Sequence, residues 1–187
     1  MNTDIGGIKS KLLARGDRYG VASDLTTNEA YDKVSRSTVM EVEAQIDTLF
    51  SRIVKAMNDV YCPNVESQEE ITSVDGTVYP AGTKILDADN CARGVDGKLP
   101  PRELFTRVGV DRYTEVTGTD GKTYYIYNEE DPNNTSTMYS IGSVSINSDL
   151  KRQITLMPAY TANGAVDYDF GHRLANAWNV KDMVLSP

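Results

Sequence analysis

Histidine, cysteine and long apolar runs are what this chain of 187 residues has least of, with one His, two Cys and no basic excess. The lone His172, in Asp-Phe-Gly-His-Arg-Leu, has no Ser or Cys nucleophile in a local signature, so a triad would have to be assembled in space. Cys62, Cys91 and His172 show neither C-x-x-C nor H-x-x-x-H spacing and supply three ligands where zinc needs about four, so no metal is expected. No G-x-G-x-x-G opens a helix after a strand and no G-x-x-x-x-G-K-[ST] occurs, which removes the usual grounds for dinucleotide or nucleotide cofactors. The absence of a catalytic constellation makes binding and assembly, rather than enzymatic activity, the expected role.

No stretch approaches the roughly 18 apolar residues that a membrane-spanning helix requires, and the N-terminal Met-Asn-Thr-Asp lacks the charge pattern of a signal peptide. A cytosolic origin is therefore expected. In that setting Cys62 and Cys91 are reduced thiols, with a disulfide as the alternative in an oxidising environment. The net charge of -8 argues against a surface that neutralises phosphates, so direct nucleic-acid binding is not expected. Residues 1–60 hold eight Lys/Arg against nine Asp/Glu, which leaves most of the acidic excess beyond residue 60. That excess reads as a solvated face or as a surface for a basic partner. Acidic loops at Asp87-Ala88-Asp89-Asn90 and Glu129-Glu130-Asp131 read as solvated, since the first lacks the glycine and glutamate of a calcium-binding loop.

Hydrophobic and charged fractions of 40% and 25% are those of a folded globular domain. The pattern changes at Cys62-Pro63, from helical to strand and turn. Thr26-Thr27-Asn28-Glu29 fits a capping box at a helix start, and neither Gly nor Pro intervenes before Pro63. The segment accommodates one helix of about 50 Å at about 1.5 Å per residue, or two helices broken at the polar Ser35-Arg36-Ser37-Thr38. Val42, Ile46, Leu49, Phe50, Ile53, Met57, Val60 and Tyr61 recur at three- and four-residue spacing and predict one buried stripe. Glu43, Asp47, Arg52, Lys55 and Asp59 fall opposite. A shorter helix is expected over residues 5–14 with Gly16 as its stop, and residues 17–25 read as a linker.

Beyond Pro63, Asp75-Gly76, Asp120-Gly121 and Asn163-Gly164 each separate segments rich in Val, Ile, Thr and Tyr, and predict hairpins closed by type I′ turns. Further strands are expected at 139–146 and 153–160, and loops at 87–101 and 128–136. Eleven tyrosines stand out. Strand alternation sends Tyr125 and Tyr127 to one face and Tyr124 and Ile126 to the other, which suits a sandwich core or an interface equally. The expected class is α+β: a helical region at 1–62, antiparallel β hairpins with long loops at 63–178 and an extended tail at 179–187, forming one structural unit.

The helix over residues 26–59 and the tail from Trp178 to Pro187, on a chain of this general plan, resemble the head-tail connector proteins of tailed bacteriophages, the adaptor or neck proteins that form a ring beneath the portal. The resemblance implies a structural virion protein in a homo-oligomeric ring that links portal to tail through helix packing, loops and the C-terminal tail. It implies no cofactor and no contact with membrane. The β-rich middle is larger than a minimal helical adaptor has, and fits a tail-tube or stopper component comparably. A carbohydrate- or receptor-binding module is the alternative of another class. The surface expected to carry assembly comprises Val42, Ile46, Leu49, Phe50, Ile53, Met57, Tyr125, Tyr127, Trp178, Val184 and Leu185. An excess of apolar helix face over what one chain can cover would be buried between copies.

Overall fold

The computed structural model describes residues 5–177; Trp178, Val184, Leu185 and the expected tail lie outside them. The helical region contains α1 (Ile5–Arg15), α2 (Asn28–Val34) and α3 (Thr38–Tyr61). α1 stops at Gly16, whose φ of +76° is one that a side chain disfavours. The segment expected to be one helix or two is two. Thr27 caps α2 by accepting from the Ala30 amide at 3.2 Å, and Ser37 caps α3 by accepting from the Met40 amide at 3.3 Å. The Ser37 hydroxyl also donates to the Ala14 carbonyl at 2.9 Å, which ties the break to the end of α1. A hydroxyl that satisfies a first-turn amide favours starting a new helix over continuing the old one. The cap of α2 is Thr27 rather than Thr26, because Thr26 closes a 3-10 turn, Ala22–Leu25, with its hydroxyl on the Ser23 carbonyl at 2.7 Å.

Residues 17–25, expected to be a linker, form a strap against α3. The Gly20 amide donates to Glu43 at 3.0 Å and the Ala22 amide to Asp47 at 2.8 Å. Arg18 forks onto the buried Asp24 at 2.7 and 2.6 Å. A Cβ on Gly20 would fall on the Met40 carbonyl oxygen and lie 2.9 Å from the Ala44 amide nitrogen. Gly20→Ala is therefore expected to destabilise by about 1–3 kcal/mol or more, the range for overpacking against atoms that cannot yield, read as a drop in urea midpoint at unchanged m-value.

The β region holds β1 (Asn64–Glu66), β2 (Ile71–Thr72), β3 (Val78–Tyr79), β4 (Lys84–Leu86), β5 (Phe105–Arg107), β6 (Tyr113–Thr117), β7 (Thr123–Tyr127) and β8 (Val144–Ile146). One antiparallel sheet runs in the order β1-β4-β7-β6, and β2-β3 and β5-β8 form two small ladders. The turns at Gly76, Gly121 and Gly164 share one geometry. Each glycine amide donates at 2.9 Å to the carbonyl three residues back, on Ser73, Gly118 or Thr161. Each of those residues in turn donates at 2.8 Å across the turn, to Thr77, Lys122 or Ala165. Type I′ turns would need positive φ at the preceding Asp or Asn, and among the described residues only glycines have it. These are type I turns closed by a left-handed glycine at a bulge, and the third is flanked by one bridge, Tyr160 to Val166, rather than by strands.

The expected strand over 139–146 shrinks to β8, and residues 153–160 contain a 3-10 turn, Ile154–Leu156, instead of a strand. Two helices also enter the region expected to be β: α4 (Ser148–Arg152), capped by Asn147 on the Asp149 amide at 2.9 Å, and α5 (Phe170–Ala177). α5 exists because Phe170 and Leu174, four apart, pack on the central core. Phe170 meets Tyr61 edge-on at 5.2 Å between ring centroids. That core gathers Tyr61, Cys62, Leu86, Cys91, Tyr113, Tyr127, Leu150 and Phe170, and so joins the end of α3, the sheet, α4 and α5. A second cluster of Leu25, Val34, Met40 and Ala44 holds the strap and α2 on the start of α3.

Candidate functional site

α3 presents its apolar stripe outward. Val39, Val42, Ile46 and Leu49 are 38%, 47%, 52% and 40% exposed, and Phe50, Ile53 and Met57 are half-buried. The buried face of the helix is Met40, Ala44, Asp47, Thr48, Ser51, Val54, Asn58 and Tyr61. The expected buried stripe is thus corrected at Val42, Ile46 and Leu49, while its end at Tyr61 is buried in the core with Val60 packed against it; the placement of Asp47 on the solvent face is also corrected, since Asp47 is 2% exposed.

Hydrogen bonding explains the inversion. Asp47 accepts from the Ala22 amide, the Ser140 hydroxyl and the Ile141 amide at 2.8, 2.8 and 2.6 Å. Thr48 returns its hydroxyl to the Ala44 carbonyl at 2.8 Å. Asn58 pairs with the backbone of Phe105 in both directions, at 2.7 Å to the carbonyl and 3.0 Å from the amide, and donates to Glu103 at 3.0 Å. A polar side chain with partners of fixed geometry is buried at little cost, whereas the loops it holds would otherwise bury unpaired amides. The polar face of α3 therefore faces the loops, and the apolar stripe is left over.

The uncovered surface continues onto neighbouring elements. On α1, Ile8 and Leu12 are 66% and 65% exposed, and Leu13, Tyr19 and Ile141 are exposed as well. A cleft of about 180 Å³ opens beside Ile46, lined also by Tyr19, Gly20, Val21 and Ile141, with Glu43 and Asp47 as its charged residues. Burying a half-exposed aliphatic side chain is worth roughly 1 kcal/mol, so the four most exposed positions on α3 represent on the order of 4 kcal/mol per copy.

The aromatic candidates divide. Tyr127 is buried, edge-on to Tyr113 at 6.1 Å between centroids, with the Arg107 and Arg112 guanidiniums and the Lys84 amine over its ring. Burial pushes its phenol up to about 12. Tyr125 is half-buried against the same core. Both faces of β7 are covered, so Tyr127 leaves the set of surface candidates and Tyr125 contributes only an edge.

A polar cluster not anticipated from the sequence lies behind α3. The Tyr139 hydroxyl donates to Glu103 at 2.7 Å and receives from Arg112 at 3.2 Å. Arg112 also binds Asp59 at 2.6 Å and the Cys62 carbonyl at 3.2 Å. Burial raises the carboxyl of Glu103 above its ordinary value, against the bonds from Tyr139 and the charge of Arg112. Raised carboxyls mark catalytic sites and structural ion networks alike. Here Asn58, Glu103, Arg112 and Tyr139 are all buried and bonded to one another, which makes the cluster a clamp between α3 and the sheet.

His172 lies exposed on α5 rather than beside a strand. Cys62 and Cys91 are buried free thiols, and burial raises both. Among the described residues no group of three or more His, Cys, Asp or Glu is arranged to hold a metal ion, and no helix is long and apolar enough to cross a membrane. Within the acidic loops, Asp87 accepts from Asn90 at 3.0 Å, Glu130 pairs with Lys55 at 2.6 Å and Glu129 with Lys84 at 3.6 Å. No protein-family model, no characterised protein and no solved structure matches this chain, so the outward apolar face of α3 is the feature from which its role has to be argued.

Proposed function

We propose that the chain is a structural virion subunit that assembles into a homo-oligomeric ring in the neck of a tailed bacteriophage particle, between portal and tail proteins. The observation that carries this reading is the inverted amphipathic helix α3. Asp47 and Asn58 on its inner face hold the chain's own loops, and Val39, Val42, Ile46 and Leu49 are exposed, with Tyr19 and Ile141 beside Ile46. A contiguous apolar patch built on a rigid 24-residue helix is suited to burial between protein copies. The net charge of -8 is consistent with protein rather than nucleic-acid contacts.

The purified chain is expected to sediment and scatter light as an oligomer, alone or with portal protein, and electron microscopy of the particle should show it in a ring. The paired change Val42→Glu and Ile46→Glu should leave the thermal transition of the isolated chain within a few degrees and abolish assembly, because exposed positions tolerate charge and buried interface positions do not. A strict monomer under both conditions would refute the reading. Location of the ring in the tail tube or at the stopper would keep assembly and move its address.

A carbohydrate-binding role has one supporting observation, an open polar cleft of about 350 Å³ lined by Gln68, Glu69, Glu70, Thr119, Asp120 and Tyr124 among others. Binding of the chain to a glycan array, lost in Tyr124→Ala, would favour it.

A further inference from the structure

Oligomers close into rings when two different patches meet head to tail, and stop at dimers when one patch meets itself. Two apolar surfaces of this chain differ in sign. α1 carries Lys9, Lys11 and Arg15 and no carboxylate. Residues 38–50, the first half of α3, carry Glu41, Glu43 and Asp47 and no cation. Arg15 lies 3.8 Å from Glu43 of its own chain, while Lys9 and Lys11 make no ion pair among the described residues and stand beside the exposed Ile8 and Leu12.

Pairing α1 with α1 would set Lys9 and Lys11 against their copies, and pairing α3 with α3 would set Glu41 and Glu43 against theirs, Asp47 being buried. Like charges facing each other across an interface disfavour that pairing, and opposite charges favour it. α1 also projects the exposed Ile8 and Leu12, and the α3 surface holds a cleft of about 180 Å³ between Tyr19, Ile46 and Ile141, with only Glu43 and Asp47 as charged lining. An apolar anchor that fills such a cleft at the centre of an interface contributes most to binding.

We propose, building on the assembly reading, that α1 of one copy docks on the outward face of α3 of the next, with Ile8 or Leu12 entering the cleft beside Ile46 and Lys9 and Lys11 facing the acidic half of α3. The contact is heterologous and repeats around the ring. It follows that α1 is the donor element and the Tyr19–Ile46–Ile141 surface the acceptor.

Two full-length variants test it. Ile8→Glu with Leu12→Glu blocks the donor, and Val42→Glu with Ile46→Glu blocks the acceptor. Each alone is expected to run as a monomer with a wild-type circular dichroism spectrum. Mixed in equal amounts, they retain one good contact between them and are expected to form a species of two unlike chains by light scattering. With Leu12→Cys added to the acceptor-blocked chain and Ile141→Cys added to the donor-blocked chain, oxidised glutathione should join the unlike chains by a disulfide, Cys62 and Cys91 being buried. An oligomeric wild type whose two variants form no mixed dimer and no cross-link overturns this pairing and leaves the assembly reading standing. A wild type that is monomeric at every concentration, both alone and mixed with portal protein, overturns both.

Discussion

Arg112→Met is expected to lower the melting temperature by roughly 10 °C, because breaking a buried ion pair costs about 3–5 kcal/mol and each kcal/mol shifts a chain of this size by about 2–4 °C. Arg112 links four groups drawn from three segments of the chain. It binds Asp59 at 2.6 Å, the Cys62 carbonyl at 3.2 Å and the Tyr139 hydroxyl at 3.2 Å, and it stands 3.8 Å from Glu103. Its loss strands Glu103 in a site that already raises the carboxyl by burial, with no cation in contact. A second change, Glu103→Gln, removes the stranded charge and keeps an acceptor for Tyr139 and Asn58. The double variant is therefore expected to melt above the single one, a recovery that thermal unfolding by circular dichroism measures directly. If both variants melt together, the Glu103 charge is not what Arg112 stabilises.

Asp47→Ala should cost about 3 kcal/mol, since it leaves the buried Ser140 hydroxyl and two part-buried backbone amides without their acceptor, at about 1–3 kcal/mol for each donor that water does not reach. The Ala22 and Ile141 amides and the Ser140 hydroxyl converge on this one carboxylate from segments 25, 94 and 93 residues away. The loss is expected to be local as well as global. Hydrogen exchange at residues 20–22 and 140–141 should accelerate by more than the fall in overall stability accounts for, because both segments are held to α3 largely through Asp47 and its neighbour Glu43. Asp47→Asn should fall between, as its amide oxygen still accepts while its NH2 group faces the other donors. Uniform acceleration across the chain would show that Asp47 serves the whole fold and not these two segments.

Several of the local features were legible from residues near one another in the chain. The glycine stop of α1, the helix start close to Thr26, the break among residues 35–38 and the glycine turns at 76, 121 and 164 all depend on interactions within about four residues. Where a local rule and the structure differ, a neighbouring residue competes for the same atoms. Thr26 closes the turn before the helix and leaves the cap to Thr27, and the Asp-Gly turns place one residue, not two, at positive φ. The strand expected at 139–146 is reduced to β8 and the one expected at 153–160 is absent, for a different reason. Their apolar residues had partners elsewhere, with Tyr139 drawn into the Glu103–Arg112 clamp and Leu156 and Met157 packed against the central core.

The face of α3 that points inward was not readable at all from its periodicity. Three- and four-residue spacing identified Val42, Ile46 and Leu49 as one stripe, and that stripe exists. Periodicity states which residues share a side of a helix, and only the partners on each side decide which side is covered. Those partners, Ala22, Glu103, Phe105 and Ser140, lie 25 to 93 residues from their contacts on α3. The clamp at Arg112 has the same character, with Asp59, Glu103 and Tyr139 meeting only after the sheet and the loops have folded onto the helix.

Composition and short-range pattern thus determined an α+β chain, helical before Pro63 and mainly hairpins after it, with capped helices, glycine turns and an amphipathic α3. Tertiary structure alone decided that Asp47, Thr48, Ser51 and Asn58 share the buried face of that helix with Met40, Ala44, Val54 and Tyr61, while Val42, Ile46 and Leu49 stay exposed. The reason is physical: Asp47 and Asn58 are buried because distant loops supply partners for their polar atoms, and spacing along the helix carries no information about those partners.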